Sequence, residues 1–424
     1  MTAHIPAPMT AAESALMDAY AAQLGDLPGD GAVLSARDTL LSELKAAGLP
    51  TRRVEAWHYT DLRALLRTVP TYDATAFVQP VEPLTAGSAV LRVLGGHADA
   101  SGAPEGLDVI TYAQSLLDGS AAGDLAARGD EDAIGRLNGS FVRDGLEVSL
   151  AEDSVLAQPL ELQIVQSAGQ SHLRFPFTFG ARSKATVIER HLSQGDTASL
   201  ISSVSDLIIE DGADVTWILV QEQGASDTHL GQLNFELGAD AQFRLFVINA
   251  GGKLVRQEVH GVVNGEGSDF KLRAVNLMGG ESHTDLTFTL GHDVPNTTST
   301  EIIRNVVFDR ARGVFQGQIR VAQDAQKTDA KMACNTLLLS DDADFSAKPE
   351  LEIFADDVQC GHGATVIDLN PTHLYYLQAR GIPEKRARQM LVNAFVDEVV
   401  EELEDEAVVA ALEGIIETWL DRHA

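Results

Sequence analysis

The most suggestive chemistry in this 424-residue sequence lies with Cys360 and His362, which alternate with Gly361 and Gly363 in the run Val358–Thr365 (VQCGHGAT). A thiolate and an imidazole are ligands suited to iron or zinc. Residues two apart on a strand point to the same side, and the neighbouring glycines let another backbone or a cofactor come close. The stretch just before alternates, with Leu351, Ile353 and Ala355 on one face and Glu350 and Glu352 on the other. Carried forward, that register sets Cys360 and His362 on the polar face. Two ligands fall short of the four a closed metal site takes, so any metal here draws the rest from elsewhere. A plainer reading stays open: Cys360 as a small buried residue and His362 as a turn residue.

Other chemistries lack their residues. There is no Gly-x-x-x-x-Gly-Lys-Ser/Thr loop, no Gly-x-Ser-x-Gly elbow, no His-Glu-x-x-His and no paired Cys-x-x-Cys. The run Gly251-Gly252-Lys253 lacks the rest of a phosphate loop and reads as a turn. His58, His229, His260 and His283, taken singly, read as surface or hydrogen-bonded polar residues. Cys334 and Cys360 are the only cysteines, too few for a disulfide framework, so reduced thiols and a cytoplasmic location are expected. The formal charge of −31 argues against nucleic acid and against anionic membrane surfaces. Met1–Met9 has neither the basic nor the apolar part of a secretory signal, and no apolar run reaches the roughly 18–20 residues of a membrane span.

The elements that must position the Cys–His pair fall into three regions. Thr10 and Glu13 have capping-box spacing, with Leu16, Met17, Tyr20 and Leu24 on one helical face. A second helix is predicted from near Ser35 to Gly48, with Leu40, Leu41 and Leu44 apolar. From about Gly145 to Ala355, short runs rich in Val, Ile, Leu, Phe and Thr alternate with turn residues, which predicts an all-β region. A sandwich is the default for such a pattern. Gly212, Gly238, Gly265 and Gly291 recur at a nearly even interval, of the length that suits a solenoid instead, and the spacing leaves both open. After Asn370-Pro371 the chain reads as helical again. One stripe carries Ala387, Met390, Leu391, Ala394 and Phe395, and a second carries Val408, Val409, Leu412, Ile415, Ile416, Trp419 and Leu420. One stripe is expected to pack internally and another to engage a partner, with the acidic run Asp397–Glu406 as a solvated helix face.

The Cys–His segment also belongs to a longer pattern. Ala325–Ala330 (AQKTDA), Asn335–Ser340 (NTLLLS), Lys348–Ile353 (KPELEI), Ala355–Val366 (ADDVQCGHGATV) and Tyr376–Ile382 (YLQARGI) together resemble the C-terminal signature of the SufB/SufD family of iron–sulfur assembly proteins. Leu49–Thr60 (LPTRRVEAWHYT) and Leu137–Gly145 (LNGSFVRDG) resemble the N-terminal motifs of its SufD branch, as does the His-Gly-Ala-Thr core. Ile367 and Asn370 depart from residues common there.

The resemblance implies a mainly β protein: a right-handed parallel β-helix (solenoid) core over 141–368, flanked by an N-terminal mainly helical domain (1–140) and a C-terminal helical domain (369–424). It implies a non-catalytic scaffold that pairs with a SufB-like paralogue and with a SufC-type ABC ATPase, with a homodimer possible in isolation. Nucleic acid and membrane are not among the implied partners. An iron–sulfur cluster would be held transiently at the SufB contact, with His362 and Cys360 as ligands. Tyr376, Arg380, Met390 and Phe395 would dock the ATPase, whose ATP-driven motion would open the junction between the β-helices. Two other readings are a SufB-like main scaffold and a β-helix carbohydrate-active enzyme.

Overall fold

The computed structural model describes residues 8–73 and 75–423; Met1–Ala7, most of the stretch read as lacking a secretory signal, lie outside them. From Asp144 to Ile367 the chain winds into a parallel β-solenoid, each coil giving one strand to each of two facing sheets, and Ala89–Leu94 adds a further parallel strand at its start. Sheet I has ten strands and ends at Gln359–Ile367; sheet II has nine and ends at Asp344–Ile353. The sandwich is thereby set aside, since successive strands of each sheet pair in parallel. At the other end, the antiparallel strands His97–Asp99 and Leu107–Thr111 close the two sheets.

Alternation explains the winding. Val215, Trp217 and Leu219 turn inward in sheet I, and Leu233, Phe235 and Leu237 do so in sheet II, filling a lumen that is mostly apolar. In-register stacking sets like positions on top of one another, so Phe243 and Phe270 of sheet I lie with ring centroids 5.5 Å apart, and Phe270 meets Phe235 and Phe288 of sheet II across the lumen at 4.6 and 5.9 Å. Polar positions stack as well. Asn249 donates to Asn276, and Asn276 donates to Asn305 at 2.8 Å, each amide satisfying the next inside the wall.

The evenly spaced glycines are only part of the true repeat. Coil length varies: Thr228 pairs with Leu254, whereas the coil that pairs Thr298 with Asp329 is several residues longer. What recurs is one corner residue with positive φ, two residues before the sheet I strands that start at Lys184, Asp214, Gln242, Asp269, Thr298 and Asp329 or, for Asp153, before the bridge at Val155: Asp153, Arg182, Gly212, Asp240, Gly267, Asn296 and Lys327. Gly212 belongs to this column. Gly238 and Gly265 sit two residues before it, where the corners stack so closely that a Cβ on Gly265 would strike the Gly238 backbone. Gly291 lies inside a strand opposite Val262. Because Asp, Asn and even Arg or Lys fill the αL corner, counting glycines under-reads it.

Helices cover both outer faces. The capping box at Thr10 forms as expected, with Glu13 N donating to Thr10 Oγ1 at 3.2 Å and Thr10 N to Glu13 Oε2 at 2.6 Å. The second helix runs Gly31–Ala47, starting before Ser35 because the Asp30 carboxylate caps Ala32 and Val33 N–H groups. With Ala133–Phe141 these helices pack on sheet II through Leu200, Val204, Leu230 and Leu254. The Leu49–Thr60 motif pins them down. Arg256, fully buried in sheet II, lies 3.8 Å under the Trp57 ring and donates to Ala56 O at 2.8 Å. It also pairs with Glu258 at 2.9 Å and with Asp285, which accepts from the Thr60 hydroxyl. Burial alone would raise the Glu258 carboxyl; the Arg256 charge outweighs it and holds that carboxyl well below its ordinary range.

On sheet I, the helices Glu384–Val400 and Glu406–His423 bury Val392, Val396, Val399, Val400, Leu412, Ile416 and Trp419 against Ile218, Phe246, Ile248 and Val275. The second predicted stripe therefore packs internally. The first is rotated: Ala387 is buried, but the small Val side chains face the flat sheet and Met390 is left 39% exposed. The acidic run is more than a solvated face, since Glu398 and Glu402 pair with Arg304 and Arg273 of sheet I at 2.8 and 2.7 Å.

Two outcomes follow for stability. Arg256→Ala strands Asp285 and Glu258 in the protein interior and is expected to cost about 3–5 kcal/mol in urea unfolding. Ending the chain after Gly381 uncovers the apolar outer face of sheet I, and the truncated protein is expected to bind a hydrophobic dye that the full chain excludes.

Candidate functional site

The candidate site is the last coil. Its strands, Asp344–Ile353 and Gln359–Ile367, each pair on one side only, with Arg312–Val321 and Asp329–Leu338. Their other edges carry unpaired backbone groups, a template for another strand. Side chains whose counterparts in the preceding coil are buried are uncovered here: Ile353, Val366 and Ile367 are 39–53% exposed.

The register expected for Cys360 and His362 does not hold. A corner at residues 354–358 separates the two strands and moves the chain from sheet II to sheet I, so the alternation of Glu350–Ala355 does not run on. Cys360 stacks over Ala330 and His362 over Met332, both core residues. The pair thus continues the luminal face, not the polar outer one, and is reachable because no further coil covers it. Ala355 and the Lys327–Asp357 ion pair anchor the corner, and Gln359 N donates to Thr328 O at 2.9 Å.

Cys360 is half-buried, and burial pushes its thiol above the usual range; the Asp329 and Glu301 carboxyls add to this, and an Ala330 backbone hydrogen bond opposes it. His362 is exposed. A Cβ on Gly361 or Gly363 would meet nothing within 4 Å, leaving both approachable. Cys334 is different: it is fully buried, accepts from Asn305 Nδ2 at 3.3 Å, and has its thiol pushed up by burial to about 12. Only Cys360 is available as a ligand. Among the described residues, no three His, Cys, Asp or Glu side chains converge to hold a metal, so the pair is half of a site at most.

The other singled-out residues lie apart from this pair. Tyr376 and Arg380 are at the helix Pro371–Gln378, which buries none of its residues; the Arg380 guanidinium sits 4.3 Å from the Tyr376 ring centroid. Tyr375 and Tyr376 are 71% and 54% exposed. Phe395 packs against the sheet I cluster with Arg304 5.3 Å from its ring centroid, and Met390 is the more accessible of the two. No helix is long and apolar enough to cross a membrane among the described residues.

Sequence reasoning missed Glu301. It occupies an inward position of Thr298–Val307, between Ser299 and Ile303, is fully buried, and neither carboxylate oxygen has a hydrogen-bond partner. Burial raises its pKa to about 8, against the opposing effects of the nearby Ser299 hydroxyl and Arg273; Asp269 adds to the rise. The strand shows no apolar alternation to mark it, because the polar Ser299 and Asn305 share the face of Glu301. A single acid among so many short runs is easily passed over.

A family model described as "SUF system FeS cluster assembly, SufBD core domain" matches residues 163–395. The iron-sulfur cluster assembly protein SufD of Escherichia coli (strain K12) is 29% identical over 388 residues, covering 87% of this chain and 88% of its own length. SufD of Bacillus subtilis (strain 168) is 26% identical, covering 68% of this chain and 67% of its own. The chloroplastic protein ABCI7 of Arabidopsis thaliana is 32% identical over 47% of this chain and 42% of its own.

Glu301 sets a pH dependence with a definite sign. Its folded pKa of about 8 lies above the ordinary 4.5. Between those values only the unfolded chain gives up the proton, so the folded state loses stability as pH rises, fully so above about pH 8. Glu301→Gln removes that penalty. The variant is expected to exceed the wild type by on the order of 2–3 kcal/mol at pH 7, with the gap shrinking toward pH 5, in urea melts across pH 5–8.5.

Proposed function

The chain belongs to the SufBD family of iron–sulfur cluster assembly proteins, and from that premise we propose that it is a non-catalytic, SufD-type scaffold subunit working in the cytoplasm. Its open coil pairs with the corresponding end of a SufB-like paralogue, and its C-terminal helices dock a SufC-type ATPase. A nascent iron–sulfur cluster is the cargo, held between the two β-helices by His362 and Cys360 together with ligands from the paralogue.

The observation that carries this reading is the luminal placement of Cys360 and His362 on an uncapped strand. The incomplete ligand set and the uncovered coil are complementary deficiencies, and a second solenoid end relieves both. Joining two unpaired strands also satisfies the edge by strand addition. A site divided between chains can be assembled and dismantled by moving the chains, which suits a cargo that must leave.

A polar line supplies a means of coupling. Glu398, on the C-terminal helix Glu384–Val400, accepts from Arg304 at 2.8 Å; Arg304 donates to Asn335 Oδ1 at 2.7 Å; Asn335 Nδ2 donates to Thr365 Oγ1 at 2.6 Å. Thr365 lies on the same strand as Cys360 and His362. The exposed aromatic helix Pro371–Gln378, with Tyr376 and Arg380, is the natural ATPase contact, with Met390 beside it. Phe395 contributes by holding Arg304. Force applied to these helices reaches the last strand through this line of hydrogen bonds, of which the two made by Arg304 are charge-assisted.

The test is His362→Ala in a complex produced with the paralogue and the ATPase. The imidazole is a ligand only through a ring nitrogen free of its proton, and the substitution removes that nitrogen without altering the glycines. The variant complex is expected to elute at normal size yet lose the visible sulfur-to-iron absorbance after anaerobic reconstitution. Normal size with normal absorbance would contradict the assignment. Arg304→Ala is expected to retain assembly and ATPase binding while lowering ATP-dependent cluster yield severalfold.

A further inference from the structure

The lumen beneath the open end holds a feature that packing does not explain. Strand register sets Leu272, Glu301, Met332 and His362 in one column at successive coils of sheet I. Below Glu301 the column is apolar: Leu272, Leu245 and Trp217. The acid is therefore the first polar group met on passing inward from His362, with only Met332 between them. Gly317 of sheet II faces Met332, and a Cβ there would collide with the Met332 sulfur. The lumen at this level is filled by a flexible thioether lying over a glycine, an arrangement that can yield.

We propose that Glu301 is the inner member of a cation-binding line, His362–Met332–Glu301, that accepts a divalent transition-metal ion of the iron(II) class from the open end of the solenoid. This rests on the reading of that end as the cluster assembly site, and adds to it a luminal ligand contributed wholly by this chain.

Three considerations favour it. First, both Glu301 oxygens are unpartnered although the side chain is fully buried, and buried polar groups are otherwise almost always satisfied. Secondly, a buried acid that interrupts an otherwise apolar column, between Leu272 and Met332, is where a functional demand is expected. Thirdly, the reach is adequate. Two strand spacings separate the Glu301 and His362 backbones by about 10 Å, and each side chain spans about half of that, so a cation bonded to both at about 2 Å fits once Met332 swings aside. Carboxylate and imidazole both suit iron(II), with the thioether a softer third contact. Binding balances simply: the carboxylic acid gives its proton to solvent, the carboxylate takes the metal, and no electron is transferred.

The test uses the full chain, purified without metal, with cobalt(II) alone as a spectroscopic stand-in. Affinity is read by calorimetry and coordination by the visible cobalt bands. Wild type is expected to take up one cobalt ion, and His362→Ala to lose it. Glu301→Gln, a near-isostere expected to fold with a raised Tm, should weaken binding about tenfold or more and alter the bands. Unchanged cobalt binding in Glu301→Gln, with loss in His362→Ala, would overturn this inference and leave the assembly-site reading intact. Unchanged binding in His362→Ala would overturn both, and a wild-type chain that takes up no cobalt would overturn the luminal line.

Discussion

The structure depends on in-register stacking of parallel coils. Each strand has its backbone satisfied by the coil before and the coil after, so a solenoid stays sound only while neighbours exist. At its beginning this chain supplies them, through His97–Asp99 and Leu107–Thr111. At its end it does not. The last strands retain one partner each, and their apolar side chains stand uncovered. An unfinished solenoid is an instability, and the candidate ligands Cys360 and His362 sit on it.

Stacking also decides which residues meet. A position is shared by every coil, so chemistry on one strand is set by what lies above and below it. The Asn249–Asn276–Asn305 line and the Phe243–Phe270 pair are the structural uses of this rule. Cys360 over Ala330 and His362 over Met332 over Glu301 are its chemical counterpart. The helices matter because they lie across the coils. Arg256 under Trp57 fastens the N-terminal helices to sheet II, and Arg304 and Arg273 fasten the C-terminal ones to sheet I. A load on a helix is thereby shared among several coils.

Much of this was legible in the sequence. The Thr10–Glu13 capping box, the all-β middle and the Leu412, Ile416, Trp419 stripe are local patterns, and local patterns survive into the structure. The family resemblance supplied the solenoid that glycine spacing alone left undecided. What the sequence concealed was relational. The corner column is filled by Asp, Arg, Asn and Lys as well as Gly, so its period is blurred. The alternation before Cys360 gave the wrong face because a corner hides within Phe354–Val358, where no glycine or proline marks the change of sheet. Arg256 and Glu301 gave no sign of being buried, since burial there comes from the coils above and below, each a full turn of the solenoid away along the chain.

The central claim is that the last coil is completed by another chain, with Cys360 and His362 inside the junction. Backbone hydrogen exchange over Gln359–Ile367 measures it directly, comparing the free chain with its complex with the SufB-like paralogue. Amides of an unpaired edge exchange by local opening near zero cost, whereas paired ones need the junction to part. The account predicts fast exchange along the open edge in the free chain and slowing by orders of magnitude in the complex, confined to the last coil. Equal exchange in both states, with protection gained elsewhere on the molecule, would contradict it.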